Sequence, residues 1–60
     1  MKRKDLIRKL KKAGWVISRS GAKHDMATHP DRPGFKLPIP RHTEINEYTA
    51  KRILKEAGIE

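Results

Sequence analysis

The sequence predicts an α+β two-layer sandwich, with two helices on one face of a three-stranded antiparallel sheet and the element order α-β-β-β-α. Two observations carry most of that expectation. A helical apolar repeat stands near each end of the chain, and three short strand-like segments lie between them. A third is the placement of turn chemistry at the junctions, with Gly14, Ser20-Gly21, Pro33-Gly34 and Gly58 as the clearest cases. Sixty residues hold a single domain, expected to span residues 1–60.

From Arg3 to Ala13 the apolar positions Leu6, Ile7, Leu10 and Ala13 recur at helical spacing, leaving Lys and Arg on the other face. Asp5 in the first turn and Lys11 and Lys12 in the last complement the helix dipole, and Gly14 stands where a left-handed cap belongs. Trp15 to Arg19 is aromatic and β-branched and reads as a strand with Trp15 and Ile17 on one face. After a turn at Ser20-Gly21-Ala22, a second strand from Lys23 to Thr28 puts His24, Met26 and Thr28 on one face and Lys23, Asp25 and Ala27 on the other. His29 to Gly34 is loop chemistry. Phe35, Leu37 and Ile39 then alternate along a third strand, and because Pro38 cannot donate to a ladder, that strand is expected to lie at a sheet edge or to end in a bulge.

Asn46 is a good N-cap for a second helix whose apolar stripe is Ala50, Ile53, Leu54 and Ala57, with Ile45 as a staple against Ala50 and Gly58 closing it. The element order matches that of double-stranded-RNA-binding domains, an analogy of fold that carries no function by itself. One face of such a sheet is left for solvent or a partner.

Charge gives the first functional direction. Fifteen Lys and Arg against seven acids make a formal net charge of +8. An anionic partner offsets that self-repulsion, and a polyphosphate chain is the usual candidate. Only Trp15, Phe35 and Tyr48 are aromatic, which argues against a base-stacking platform and for recognition of backbone and shape. The absence of cysteine removes disulfides and thiolate metal sites. No apolar run approaches the ~20 residues of a membrane span. The charged start, Met1 to Asp5, is not followed by the uninterrupted apolar segment of a signal peptide, so a cytoplasmic protein with no membrane partner is expected.

Three histidines are the only side chains suited to proton transfer near neutral pH. His24 follows a turn glycine, Gly21, and lies beside Lys23. That position suits an accessible base, and equally a surface histidine or one packed at a sheet edge. RNA cleavage needs little more than one base: the ribose 2′-hydroxyl is the nucleophile beside its own phosphate, and a cation stabilises the charge that develops. Lys23, Arg19, Lys36 and Arg41 are the cations in question, each of which also reads as a solvated surface charge. His29, before a proline in a polar loop, is expected to be exposed and inert. His42 reads as a phosphate contact or as a capping or packing residue. The three histidines have no recognised metal-ligand spacing, so neither a metal nor any other cofactor is expected. Lys4, Arg8, Lys11 and Lys12 form a basic helix face that could track phosphates, dock an acidic partner, or simply be solvated.

Several stretches taken together resemble one family. They are Lys4-Asp5-Leu6-Ile7 with Leu10 and Ala13-Gly14-Trp15-Val16; Gly21-Ala22-Lys23-His24; Pro38-Ile39-Pro40-Arg41-His42-Thr43-Glu44-Ile45; and Ala50 with Ile53-Leu54-Lys55-Glu56-Ala57-Gly58. They cover nearly the whole chain, and their combination resembles the HicA toxins, the RNA-cleaving members of HicA–HicB toxin–antitoxin pairs. The resemblance implies the same double-stranded-RNA-binding-like fold and an mRNA interferase activity. It places the family's catalytic histidine, which follows a glycine in a Gly-x-x-His turn, on His24, with Gly21 as that glycine. Ala22 stands where many members have serine, which implies weaker activity if that hydroxyl holds phosphate. The resemblance also implies a HicB-type antitoxin that covers the active site.

Two function classes follow. One is a metal-independent endoribonuclease with His24 as general base and Lys23, Gly21, Arg19, Lys36 and Arg41 contacting RNA. The other is a non-catalytic RNA-binding module, supported by charge and element order alone. A basic adaptor for an acidic protein is a third reading.

Overall fold

The computed structural model describes residues 1–18 and 24–59. Helix α1 (Arg3–Lys12), strands β1 (Val16–Ser18), β2 (His24–Thr28) and β3 (Leu37–Pro40), and helix α2 (Glu47–Glu56) follow in the expected order. The sheet is an antiparallel meander, β1-β2-β3, with Ile17 opposite Ala27 on one side of β2 and Asp25 and Ala27 opposite Ile39 and Leu37 on the other. Those residues form the inward rows. Both helices lie over them, and Leu6 and Leu10 of α1 meet Ala50, Ile53 and Leu54 of α2 across a single core. Leu6, Leu10 and Ile39 are wholly buried, and each such side chain contributes about 1.5–3 kcal/mol by leaving water.

The two helices end in the same way. Gly14 has φ +98, its N–H bonds to the Lys11 carbonyl, and the Trp15 N–H reaches back to that of Leu10. At α2, Gly58 and Ile59 repeat the pattern onto Lys55 and Leu54. This is the Schellman arrangement, which satisfies last-turn carbonyls and brings an apolar residue beyond the cap down onto the last turn. It also explains why β1 begins at Val16: Trp15 is committed to the cap, and its ring goes into the core at 4% exposure.

The α2 N-terminus is as the sequence reads, with the Asn46 side chain accepting from the Tyr48 N–H at 2.8 Å. For α1 no side chain caps the start. Instead, residues 1–3 run antiparallel to 43–45: the Arg3 N–H bonds to the Thr43 carbonyl at 2.9 Å, and the Ile45 N–H to the Met1 carbonyl at 2.8 Å. Nothing in the apolar pattern signals this backbone pairing.

Strand β3 lies at a sheet edge, as Pro38 requires, but begins at Leu37 rather than Phe35. The Phe35 N–H closes a turn onto the Arg32 carbonyl, and the ring leaves the ladder to sit edge-on to Trp15, centroids 6.0 Å apart. No helix of the described residues is long and apolar enough to cross a membrane.

Candidate active site and its cationic surroundings

Alternation along β2 decides where its chemistry points. Asp25 and Ala27 are buried on the helix side, while His24, Met26 and Thr28 look the other way. The outward rows of the three strands hold Val16, Ser18, His24, Met26, Thr28, Pro38 and Pro40, so the open sheet face carries no Lys, Arg, Asp or Glu among the described strand residues. Phosphates would find their cations at the ends of this face, not on it.

His24 is the first residue of β2, exposed, with Pro40 as its cross-strand partner. Arg41 follows Pro40 directly, so the chain brings His24 and Arg41 to the same end of the sheet. They leave it on different sides. Arg41 is half-buried and its Nε donates to Asp25 Oδ1 at 3.0 Å, on the helix side. Lys36 is exposed and lies just before β3, four positions ahead of Pro40, which separates it from the His24 end by about 13 Å of extended chain. Arg19, Gly21 and Lys23 lie outside the described residues.

Sequence reasoning missed Asp25. Its carboxylate accepts from two guanidiniums, Arg3 Nη2 on Oδ2 and Arg41 Nε on Oδ1, and Arg3 Nε also donates to the Pro40 carbonyl at 2.9 Å. The signal was available: an acid on the inward row of a strand must find cationic partners or lose its charge. The helix-side end of β2 is thereby held by an ion triad joining α1, β2 and the exit of β3. Beside it lies a pocket of about 380 Å³ lined by Lys2, Arg3, Lys4, Arg41 and Thr43. Nearby, the Met1 ammonium lies 2.8 Å from Glu47 Oε1. Its hydrogen bond, more than its charge, holds that carboxyl below the ordinary carboxylate range.

His29, expected to be exposed, is not. Its side chain is 15% exposed, with Nε2 against the Ala13 carbonyl at 2.9 Å and Nδ1 accepting from the Asp31 N–H at 3.0 Å. The ring stands edge-on to Trp15 with centroids 5.2 Å apart. Two neighbours that prefer a half-buried polar ring, a helix C-terminal carbonyl and an indole, outweigh the polarity of the loop. Arg32 does the same at α2: Nη1 donates to the Glu56 carbonyl, and the guanidinium lies 5.8 Å from the Trp15 ring centre and 5.7 Å from that of Phe35. His42 is exposed beyond β3, ahead of the Asn46 cap. His24 and His29 sit at opposite ends of β2, about 16 Å apart along the strand.

The sequence profile of the HicA toxin of bacterial toxin–antitoxin systems matches residues 3–59. No curated protein matches the sequence. The profile takes in both helices, all three strands and the segment from Gly21 to His24. On that match the chain belongs to the HicA toxin family: it is a toxin of a toxin–antitoxin system, with a cognate antitoxin as its partner.

Proposed function

We propose that the chain, residues 1–60 acting as one domain, is a cytoplasmic endoribonuclease that cleaves mRNA with His24 as general base. One observation carries the reading: the His24 ring is exposed at the end of the sheet where Arg41 and Arg3 are also gathered, so a sugar–phosphate strand can reach it. The imidazole takes the proton from a ribose 2′-hydroxyl. The 2′ oxygen attacks the adjacent phosphorus, the bond from phosphorus to the 5′ oxygen breaks, and the departing oxygen takes up a proton. The products are a 2′,3′-cyclic phosphate and a 5′-hydroxyl. All the chemistry of bond exchange lies within the RNA, which leaves the protein to supply a base, a fixed geometry and positive charge for the phosphorane.

Arg41, Arg19, Lys23 and Lys36 are the cations assigned to the RNA, with Gly21 allowing its backbone to approach. Their geometry divides them: Arg41 stands at the His24 end, and Lys36 would meet the strand one sheet-length away. The cognate antitoxin, of the HicB type, silences the enzyme by covering this end.

The reading is tested by incubating wild-type protein and His24→Ala with mRNA in EDTA and identifying the new ends. Loss of the base should slow cleavage about 100- to 10,000-fold, and wild-type products should carry cyclic phosphate. Equal cleavage by both proteins removes His24 from the mechanism. RNA binding without cleavage by wild type would leave a binding module in place of a nuclease.

A further inference from the structure

The pocket beside the ion triad holds three cations, Lys2, Arg3 and Lys4, to which the nuclease reading assigns no contact with RNA. Four of its five lining residues, Lys2, Arg3, Lys4 and Arg41, are cations, and the fifth is Thr43. Its size, about 380 Å³, lies within the range of ligand pockets, roughly 300–1,000 Å³. Like charges gathered around one pocket repel each other. Asp25 offsets that repulsion for the two arginines by giving each guanidinium one carboxylate oxygen. The side chains of Arg3 and Arg41 remain 27% and 31% exposed, against 12% for Asp25. The carboxylate is thus more withdrawn than either of the half-buried arginine side chains. Of the other acids at this end, Glu44 and Glu47 are directed to the Met1 ammonium. Asp5, in the first turn of α1, pairs with Arg8.

We propose that Lys2, Arg3, Lys4 and Arg41 form a phosphate-binding pocket that takes a backbone phosphate of the RNA strand next to the one presented to His24, with Asp25 as the positioning residue that holds the two guanidiniums. The RNA source rests on the nuclease reading; the phosphate chemistry does not. A nucleic-acid strand is favoured over an acidic protein by location. Arg41 is one residue beyond the cross-strand partner of His24, on the other side of the sheet's end. A strand rounding the edge of β3 therefore meets the imidazole and the pocket in succession. Guanidiniums fixed by a carboxylate also suit the fork geometry of phosphate oxygens.

The test uses a 2′-O-methyl RNA oligonucleotide, which lacks the nucleophile and cannot be cleaved, with affinity measured by anisotropy at several salt concentrations. Lys2→Gln/Lys4→Gln should flatten the slope of log K against log salt by about 0.7 for each phosphate that is no longer neutralised. Lys9→Gln/Lys55→Gln, an equal charge change at exposed positions near the helix C-termini, should leave the slope unchanged. Equal losses in the two double variants would overturn the pocket in favour of diffuse charge.

Asp25→Asn gives a sharper sign. Removing a carboxylate raises the net positive charge, so bulk electrostatics predicts tighter RNA binding. The proposal predicts weaker binding, with recovery in Asp25→Glu. If Asp25→Asn is folded but changes only the melting temperature, the positioning role is rejected; if it does not fold, the lysine comparison decides.

Titration of inorganic phosphate and, separately, of a glutamate-rich peptide against the amide resonances of residues 2–4 and 41–43 separates the sources. Perturbation by the peptide, with RNA slopes that do not distinguish the double variants, would assign the pocket to a protein partner and overturn the proposal. A slope difference in a protein that shows no cleavage would keep the pocket and reject the nuclease.

Discussion

The two ends of the sandwich are built from similar residues and behave differently. At one end lie both helix C-termini and the β2–β3 loop, where the half-buried His29 and the exposed Arg32 are tied to helix carbonyls. His29 contacts the last carbonyl region of α1, Arg32 that of α2, and both pack on Trp15. At the other end lie the helix N-termini, where His24 is exposed and Arg3 and Arg41 gather around one carboxylate beside an open pocket. The histidine at the first end is half-buried and bonded into the fold; the histidine at the second is exposed, beside arginines that share the Asp25 carboxylate. The difference lies in what each end offers. Carbonyls and a buried indole absorb polar side chains as structure. The helix N-termini already present N–H donors and positive charge, so the arginines there are held by a carboxylate, Asp25, and not by helix carbonyls.

That contrast predicts that mutations at the closed end change stability and those at the open end change RNA handling. The largest stability effect is expected for Trp15→Ala. Removing the buried indole, on which His29, Phe35 and Arg32 pack, should destabilise by about 3–5 kcal/mol, read from urea unfolding. Salt-dependent RNA binding of the folded fraction should be unchanged.

Asp25→Ala comes next and belongs to both categories. It leaves two guanidiniums without their shared carboxylate. Complete burial would make this about 3–5 kcal/mol, and partial exposure of the arginines reduces it to about 2–3 kcal/mol. Unlike Trp15→Ala, it should also weaken RNA binding.

Gly14→Ala should destabilise by about 1–2 kcal/mol. Its φ is +98, and an added Cβ would stand 2.7 Å from His29 Nε2, so the cap and the histidine that closes it are disturbed together. Thermal unfolding gives the shift, and amide exchange should show it concentrated at the end of α1. The smallest effect is expected for Asn46→Ala, about 1 kcal/mol from a lost N-cap. A much larger value would mean that the start of α2 is held more by its cap than by Ile45 and Ala50.

The closed end was largely legible in the sequence. Gly14, Gly58 and Trp15 announce caps and core through spacing and residue type alone, and Pro38 announced the edge strand. What spacing could not convey was the inward turn of His29, because its partners, the Ala13 carbonyl and the Trp15 ring, are brought to it only by the tertiary fold. The open end was legible in part. His24 and Arg41 are neighbours there because β2 and β3 pair in the register that sets His24 against Pro40. That register also sends Lys36 to the far end. Asp25 could have been found from its inward position on β2. Lys2 and Arg3 could not, because the backbone pairing of residues 1–3 with 43–45 has no side-chain pattern to betray it.

Two histidines at opposite ends of one strand are thus given opposite roles. Comparing His24→Ala with His29→Ala, for RNA cleavage rate and unfolding free energy in the same buffer, tests this directly. His24→Ala should lose cleavage about 100- to 10,000-fold while its stability stays within about 0.5 kcal/mol of wild type. His29→Ala should lose about 1–2 kcal/mol of stability and cleave normally while folded. Cleavage that survives the first substitution and disappears with the second would contradict the assignment of the active end.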